Sequence, residues 1–376
     1  SYPANPNAKS CFNSFGLPAS CTTSGPAPSA VGVTVFPGTI PTMRVHHYSV
    51  DTQYAIGRNF VASLGYQGSI SHNIFFHENT NATPAAVGDP LNPLIGGGDF
   101  WSVLGRANYN AMLAELKHNF SHQFMADAQF TWAKSLDTAS SPYSSGLPPF
   151  NLPFFPYNPE INYGRSDYNV GKAFKVFGMW QPVFFHGSRA WIEKLAGDWS
   201  LSGVFNLHTG FPWTPYVNVA SGSLYCGQCG YGALPAIYLG GAGTSTSNDA
   251  FKSGSNFANG AQSYFAFPSY TALTGATSGG PLPQVGLQRN SFNGPGYKDL
   301  DLTLAKGFGL PNNKILGEGA RLEFRMDAYN VFNNLNFNPT SISNNIGSPG
   351  SNNAQFGLMT AALGARVVTL GARFSF

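Results

Sequence analysis

The sequence predicts an all-β protein whose strands form an antiparallel transmembrane β-barrel with long loops at one end. Three observations predict this fold. Only 10% of the 376 residues are charged, whereas soluble domains average about 25%. Apolar and polar residues alternate with a period of two wherever a period is visible. Short and long connections alternate between these segments, which is typical of transmembrane barrels.

The composition argues against three other classes of protein. A net charge of +3 does not suit a nucleic-acid-binding surface, so we expect no nucleic-acid partner. An aromatic content of 14% does not suit a disordered chain. The mean hydropathy is −0.11, and no apolar run of roughly 18 residues is present, so we expect no transmembrane helix.

Strands follow one another along most of the chain. Each strand runs over roughly 10 to 15 residues with its ends, enough to cross a bilayer at a tilt, for which about 9 to 11 residues are needed. We count about nine strands within residues 44–376, and their clearest alternating segments lie at 48–56, 60–71, 112–120, 126–132, 174–180, 199–208, 299–304, 321–329 and 367–376.

The segment 321–329 has the clearest division into two faces. Leu322, Phe324 and Met326 share one face, and charged residues occupy the other. In a membrane barrel the apolar face contacts lipid and the charged face lines the lumen. We therefore predict that Arg321, Glu323, Arg325 and Asp327 face the lumen and form a ladder of ion pairs with neighbouring strands. The alternative is that these residues line a path for a solute.

The connections predict which end of each strand lies outside the cell. Turns at 57–59 and 121–123 are tight, and we assign them to the periplasmic side. We assign the moderate turns at 185–197 and 307–319 to the same side. The long connections are assigned to the extracellular side, with residues 1–43 as an extracellular region and long loops at 73–105, 140–169, 212–296 and 333–365.

The count of nine strands has a consequence for closure. Single-chain bacterial barrels have an even number of strands, and an open edge in lipid is very costly. We therefore expect the chain to be the C-terminal part of a larger barrel. A missed strand at 262–267 is the alternative, although it would break the alternation of short and long connections.

The four cysteines fall into two local pairs in loop-like sequence. Small disulfide-closed loops in an oxidising compartment are our interpretation. A zinc site with four cysteine ligands is the weaker alternative, because only one Cys-x-x-Cys is present. The possible disulfides join Cys11 to Cys21 and Cys226 to Cys229.

Several ordered motifs resemble one known family. The chain is similar to the C-terminal barrel of TonB-dependent outer-membrane receptors, in particular the Oar-like branch, which carries a carboxypeptidase-regulatory-like domain. Order and spacing agree from about residue 40 to Phe376. The motifs that carry the resemblance lie at 108–117, 130–137, 163–170, 197–203, 209–215, 289–296 and 324–333.

The resemblance implies a function and a set of partners. It implies a barrel of about 22 strands in the bacterial outer membrane, with its C-terminus in the periplasm. This barrel would take up or export an unidentified solute. The TonB energy-coupling complex would act through an N-terminal plug, which has no counterpart in these residues. Outer-membrane lipid and the barrel-insertion machinery are the other expected partners. That machinery would recognise Phe376 together with Phe374 as the assembly signal.

We expect no enzymatic activity, cofactor or metal site. The histidines lack carboxylates at ligand spacing, and the glycine-rich stretches lack the features of a phosphate-binding loop. A second hypothesis is a surface structural or adhesion protein that binds glycan or protein through its loops. A soluble secreted β-sandwich is the third. The strongest aromatic patch for loop binding comprises Phe150, Phe154, Phe155 and Tyr157.

Overall fold

The computed structural model describes residues 32–78, 97–121, 123–140, 162–184, 190–218, 233–267, 286–310, 320–348 and 350–376. The strands are β1 (Gly32–Val35), β2 (Arg44–Ile56), β3 (Phe60–Glu78), β4 (Gly97–Ser121), β5 (Phe124–Asp137), β6 (Gly164–Arg165), β7 (Lys172–Trp180), β8 (Trp199–His208), β9 (Pro212–Trp213), β10 (Tyr216–Asn218), β11 (Ala233–Pro235), β12 (Ile237–Tyr238), β13 (Phe265–Ala266), β14 (Phe292–Asn293), β15 (Tyr297–Gly309), β16 (Arg321–Tyr329), β17 (Gly347–Ser348), β18 (Ser351–Asn352) and β19 (Val367–Ser375). The α-helices are α1 (Ala190–Ala196) and α2 (Asn248–Ser253).

One large sheet dominates the fold. Its strand order is β19-β16-β15-β8-β7-β5-β4-β3-β2, and each neighbouring pair is antiparallel. We call these nine strands the wall. The short strand β1 pairs in parallel with β4, and β6 pairs with the end of β5. The antiparallel all-β architecture predicted from the sequence is confirmed.

The register gives the wall two distinct faces, because directly opposed residues point to the same side of a sheet. Leu304 lies opposite Met326, which in turn lies opposite Leu370. We call this side the apolar face. The intervening residues form the polar face, where Asp327 lies between Thr303 and Thr369.

Tight turns join the wall strands at the end away from the long loops. Gly57 begins the turn from β2 to β3 with a φ of +64°, a left-handed conformation that costs glycine little. In the turn from β4 to β5, Gln123 has a φ of +69°. Both turns fall where the sequence predicted them.

Described parts of two long loops pack together around a hydrophobic interior. This interior brings together residues from 212–218, 233–267 and 337–359, which are distant in sequence. The aromatic rings meet mainly edge to face, with centroids 4.8 Å apart for Phe257 and Phe356. We call the buried residues the loop core: Trp213, Val217, Ala236, Phe251, Phe257, Ala261, Phe265, Ile342, Ile346, Phe356 and Met359.

Both helices are short. Ser247 caps the first turn of α2 by accepting a hydrogen bond from the Ala250 amide, and Gly254 ends the helix with a φ of +69°. Phe251 points from α2 into the loop core. Among the described residues, no helix combines the length and the hydropathy needed to cross a bilayer.

Two of the predicted boundaries differ from the structure. The wall strand β3 ends at Glu78, and the wall strand β4 begins at Gly97. The two strands therefore occupy both ends of the predicted loop 73–105. β4 has 25 residues, far more than a bilayer requires. A strand part that extends beyond lipid has no apolar face to maintain, so its sequence gives no signal of period two.

The segment proposed as an alternative strand, 262–267, does not join the wall. It contains the end of a 3₁₀ helix at Ala261–Ser263 and the two-residue strand β13, which pairs with β12. Phe265 is fully buried in the loop core. Its alternating pattern therefore reflects packing within a loop, and this alternative was wrong.

Candidate functional site

The four predicted lumen residues lie together on the polar face of β16. Arg325 forms an ion pair with Asp327, with 2.8 Å between Nη2 and Oδ1, and Thr303 donates to the same carboxylate over 2.6 Å. Arg321 pairs with Asp198, which precedes β8. Glu323 lies opposite Arg373 of β19 in the register.

Charged residues occupy the same face on other wall strands. The cross-strand register joins Asp299 through Asn206 to Lys175, and Lys175 through Gln129 to Glu115. Gln129 donates a hydrogen bond to Glu115 over 3.2 Å. The polar face is therefore a mixed-charge surface that runs across the wall. Whether it also forms a solute path stays a prediction.

The predicted assembly signal lies at an exposed end of the wall. Phe374 is on the apolar face of β19, opposite Leu322. Phe376 follows the strand and is 89% exposed. The two rings stack with their centroids 5.6 Å apart. Recognition of these two residues by the insertion machinery stays a prediction.

Two groups of predicted site residues lie outside the described residues. They are the cysteines Cys11, Cys21, Cys226 and Cys229, and the aromatic patch Phe150, Phe154, Phe155 and Tyr157. Within the described part of the chain, no group of three or more histidine, cysteine, aspartate or glutamate residues could hold a metal ion.

A buried polar cluster lies where the wall meets the folded loops. Its centre is an ion pair between Asp137, the last residue of β5, and Arg289, and both side chains are almost fully buried. Ser140 donates to the second carboxylate oxygen of Asp137 over 2.9 Å. Burial lowers the pKa of Arg289 to about 10, so the guanidinium stays charged at neutral pH.

Asn290 joins three segments at the same place. Its φ is +60°, a conformation that asparagine tolerates better than most residues. Its side-chain amide donates to the Arg165 carbonyl and to Asp167 Oδ1, each over 2.7 Å. Its backbone amide donates to Thr214 Oγ1 over 2.7 Å. We call Asp137, Thr214, Asp167, Arg289 and Asn290 the loop junction.

Arg165 fixes the same segments from the other side. Its Nε donates to the Asn290 carbonyl over 2.6 Å, and its Nη2 donates to the Phe292 carbonyl over 3.2 Å. The motifs at 130–137, 163–170, 209–215 and 289–296 therefore meet in space. The sequence resemblance identified each motif separately and did not predict that they meet.

Asp167 is a buried carboxyl group of the junction with a raised pKa. Its side chain is buried, and burial raises its pKa to about 6. Oδ1 accepts the hydrogen bond from Asn290, whereas Oδ2 has no hydrogen-bond partner among the described residues. A buried polar atom without a partner is uncommon in native structures.

A cavity of about 140 Å³ lies beside the junction. Asp167 and His208 are among its polar lining residues. Trp213 also lines the cavity, and its ring belongs to the loop core. The indole Nε1 of Trp213 is buried and has no hydrogen-bond partner among the described residues. The remaining walls come from loop segments and wall ends, mostly apolar or aromatic: Phe211, Pro212, Gly294, Pro295, Gly296, Tyr297, Phe337, Pro339, Ile342, Met359 and Leu363.

His208 is held in one orientation at the edge of this cavity. Its ring stacks on Tyr297 with centroids 4.9 Å apart and an interplanar angle of 12°. Nδ1 lies 2.8 Å from the Thr209 carbonyl. A carbonyl only accepts, so Nδ1 carries the proton and, in the neutral ring, Nε2 is an acceptor.

Sequence reasoning missed the loop junction and its cavity. One signal was present, because Arg289 is one of only three charged residues between positions 212 and 296. An arginine in such a neutral loop needs a partner if it is buried. The sequence did not indicate which residue is that partner, because Asp137 lies 152 positions away from Arg289.

Comparison with known proteins places the chain in a class. Residues 1–369 match the family described as "Outer membrane beta barrel domain". The chain belongs to this family and is a bacterial outer-membrane β-barrel protein. No curated protein matches the sequence.

The chain is also similar to solved structures of outer-membrane transporters. The FrpB iron transporter from Neisseria meningitidis (F3-3 variant) is 10% identical over 90% of this chain and 32% of its own, with a TM-score of 0.42. The outer membrane transporter YddB from Escherichia coli is 11% identical over 92% of this chain and 34% of its own, with a TM-score of 0.46. The chain thus spans about a third of the length of these two proteins.

Proposed function

We propose that the chain forms part of the barrel of a TonB-dependent outer-membrane transporter of the Oar-like branch, which moves an unidentified solute across the membrane. The observation that carries the proposal is the division of the wall into two faces. Leu370 is 77% exposed on the apolar face, a position suited to lipid, and charged residues such as Asp327 and Lys175 follow the polar face, a position suited to a lumen.

The edges of the wall support a larger barrel. Among the described residues, β2 and β19 each pair with only one strand of the sheet path and do not pair with each other. An open sheet edge leaves backbone N–H and C=O groups without partners, which hydrocarbon does not tolerate. Further strands beside β2 and β19 would satisfy them.

In this proposal the folded loops lie outside the cell and the C-terminus lies in the periplasm. Energy would come from the TonB complex through an N-terminal plug, and specificity would come from the loops. The transporter would act without catalysis, cofactor or nucleic acid. Outer-membrane lipid would contact residues such as Phe324 on the apolar face.

A surface adhesion protein is the second candidate, and the loop core favours it. Loops with their own buried interior present a fixed surface, which suits recognition of a glycan or a protein. The two candidates differ in their need for energy coupling. An adhesion protein needs no TonB contact, whereas a transporter depends on one.

The reading frame that encodes the chain separates the candidates. The transporter proposal expects a plug and a TonB box upstream of the wall strands, and it expects solute uptake to stop when the TonB box is deleted although the barrel stays in the membrane. Growth on a panel of single carbon and iron sources measures uptake. A frame without plug and TonB box refutes transport and leaves adhesion.

The role of the terminal aromatic residue is tested separately. Replacing Phe376 with serine should reduce the amount of folded protein in the outer membrane several-fold, as measured by heat-modifiable mobility on gels. The matched control is Phe332→Ser, because Phe332 is also exposed, at 68%, and is not at the terminus. Equal membrane levels of the two variants would rule out the terminal signal.

A further inference from the structure

We infer that the cavity beside the loop junction is a binding site for one neutral sugar ring. Three long loops and two wall ends line it, and the lining residues include Asp167, His208, Tyr297, Trp213 and Met359. The inference is independent of transport, because it concerns binding by the folded loops alone.

The size of the cavity suits the bare ring of a sugar, and the ring substituents would lie at the open mouth of the cavity. Engineered protein cavities of about 150 Å³ take up benzene, and this cavity has about 140 Å³. Benzene-like ligands, however, would leave polar lining atoms unsatisfied. The occupant therefore has the dimensions of a ring and also carries polar groups.

Two buried atoms specify those polar groups. Trp213 is 3% exposed and Asp167 is 9% exposed, and each has a polar atom without a partner among the described residues. Trp213 Nε1 can only donate, so it requires an acceptor on the ligand. Asp167 Oδ2, when ionised, can only accept, so it requires a donor. A hydroxyl group can serve either atom, and a sugar ring carries several.

The lining atoms disfavour ionic ligands for two different reasons. An anion would lie near the carboxylate of Asp167, and a cation, although that carboxylate attracts it, offers no acceptor to Trp213 Nε1. The aromatic lining residues, among them Phe211 and Phe337, offer flat apolar surfaces to the C–H faces of a neutral ring. His208 Nε2 supplies a further acceptor.

Binding is tested on the purified protein with methyl glycosides of glucose, galactose, mannose and N-acetylglucosamine as probes. The detergent must have no sugar headgroup. Saturation-transfer NMR should detect binding of at least one glycoside. Trp213→Phe removes the indole N–H donor and keeps an aromatic ring. Asp167→Asn can still accept the hydrogen bond from Asn290, but it replaces the unpartnered carboxylate oxygen Oδ2 with an amide group. Each should weaken binding about tenfold or more.

The controls separate binding from folding. Trp191→Phe, in the exposed helix α1, should leave the affinity unchanged. Leu363→Trp fills the cavity from its edge without altering the loop core, and it should abolish binding. The inference is overturned if no glycoside binds, if aromatic amino-acid esters bind in their place, or if the Trp213 and Asp167 variants bind as tightly as the wild type. A crystal soaked in the glycosides that shows only water in the cavity would overturn it as well.

Discussion

Large apolar side chains are exposed in the wall and buried in the loop core. Among the described residues, every buried Val, Ile, Met, Phe or Trp belongs to the loop core. On the wall, by contrast, Tyr54 is 72% exposed and Leu370 is 77% exposed. The apolar side chains of the two regions have different surroundings. Lipid contacts the apolar face of the wall, whereas only other protein segments contact the residues of the loop core.

The comparison explains the low charge content of the chain. Charge is rare on the apolar face because that face contacts lipid, and the loop core contains none because it is dry. Charged residues follow the polar face, and Arg289 and Asp137 neutralise each other in the loop junction. A buried pair of this kind is specific to the folded state, whereas the pairs on the polar face are exposed.

The largest effect is expected from breaking the buried pair. Arg289→Met leaves the Asp137 carboxylate buried with only Ser140 as a side-chain partner, and this should lower the free energy of unfolding by about 3–5 kcal/mol. The matched control is Arg321→Met, since Arg321 and Asp198 are about half exposed. That change should cost about 0–1 kcal/mol.

Both variants are compared by guanidinium unfolding of protein folded in phospholipid vesicles. Equal losses for Arg289→Met and Arg321→Met would mean that the loop junction does not stabilise the fold.

The second test uses two neighbouring residues of β19. Leu370 is on the apolar face and Thr369 on the polar face. Leu370→Arg places a charge in lipid and should cost about 2–4 kcal/mol near the bilayer centre. Thr369→Arg places the same charge beside Asp327 and should be nearly neutral. A similar cost for both, measured in vesicles, would argue against the assigned faces.

The third test concerns pH and Asp167. Its pKa is about 6 in the folded protein and 3.8 for a free aspartate side chain in water, because burial disfavours the charged form. The folded state therefore holds the proton more tightly. The stabilisation is complete below pH 3.8 and is lost as the pH rises through about 6, a change of up to about 3 kcal/mol.

Other charged groups near the junction are Asp137, Arg165 and Arg289, and His208 is a further titratable side chain nearby. The measurement is therefore the difference in unfolding free energy between wild type and Asp167→Asn across this pH range. The difference should change with pH in the direction given above. A difference that stays constant would contradict the burial of an ionisable Asp167.

The wall could be predicted from the sequence, whereas the loop core could not. Wall strands such as β16 repeat a local pattern of period two, imposed by lipid on one side and water on the other. The loop core has no such period, because Trp213, Phe257 and Phe356 come from separate short segments that meet only after folding. The loop junction could not be predicted for the same reason, because its two central residues, Asp137 and Arg289, are 152 positions apart in the sequence.

The central claim is that one face of the wall contacts lipid and the other contacts water. The direct test is a nitroxide scan along β16, residue by residue, in vesicles, with the four native cysteines replaced by serine. Oxygen, which concentrates in lipid, should reach labels at Leu322, Phe324 and Met326. A water-soluble nickel reagent should reach labels at Glu323 and Arg325. Access of the nickel reagent to both sets would contradict the claim.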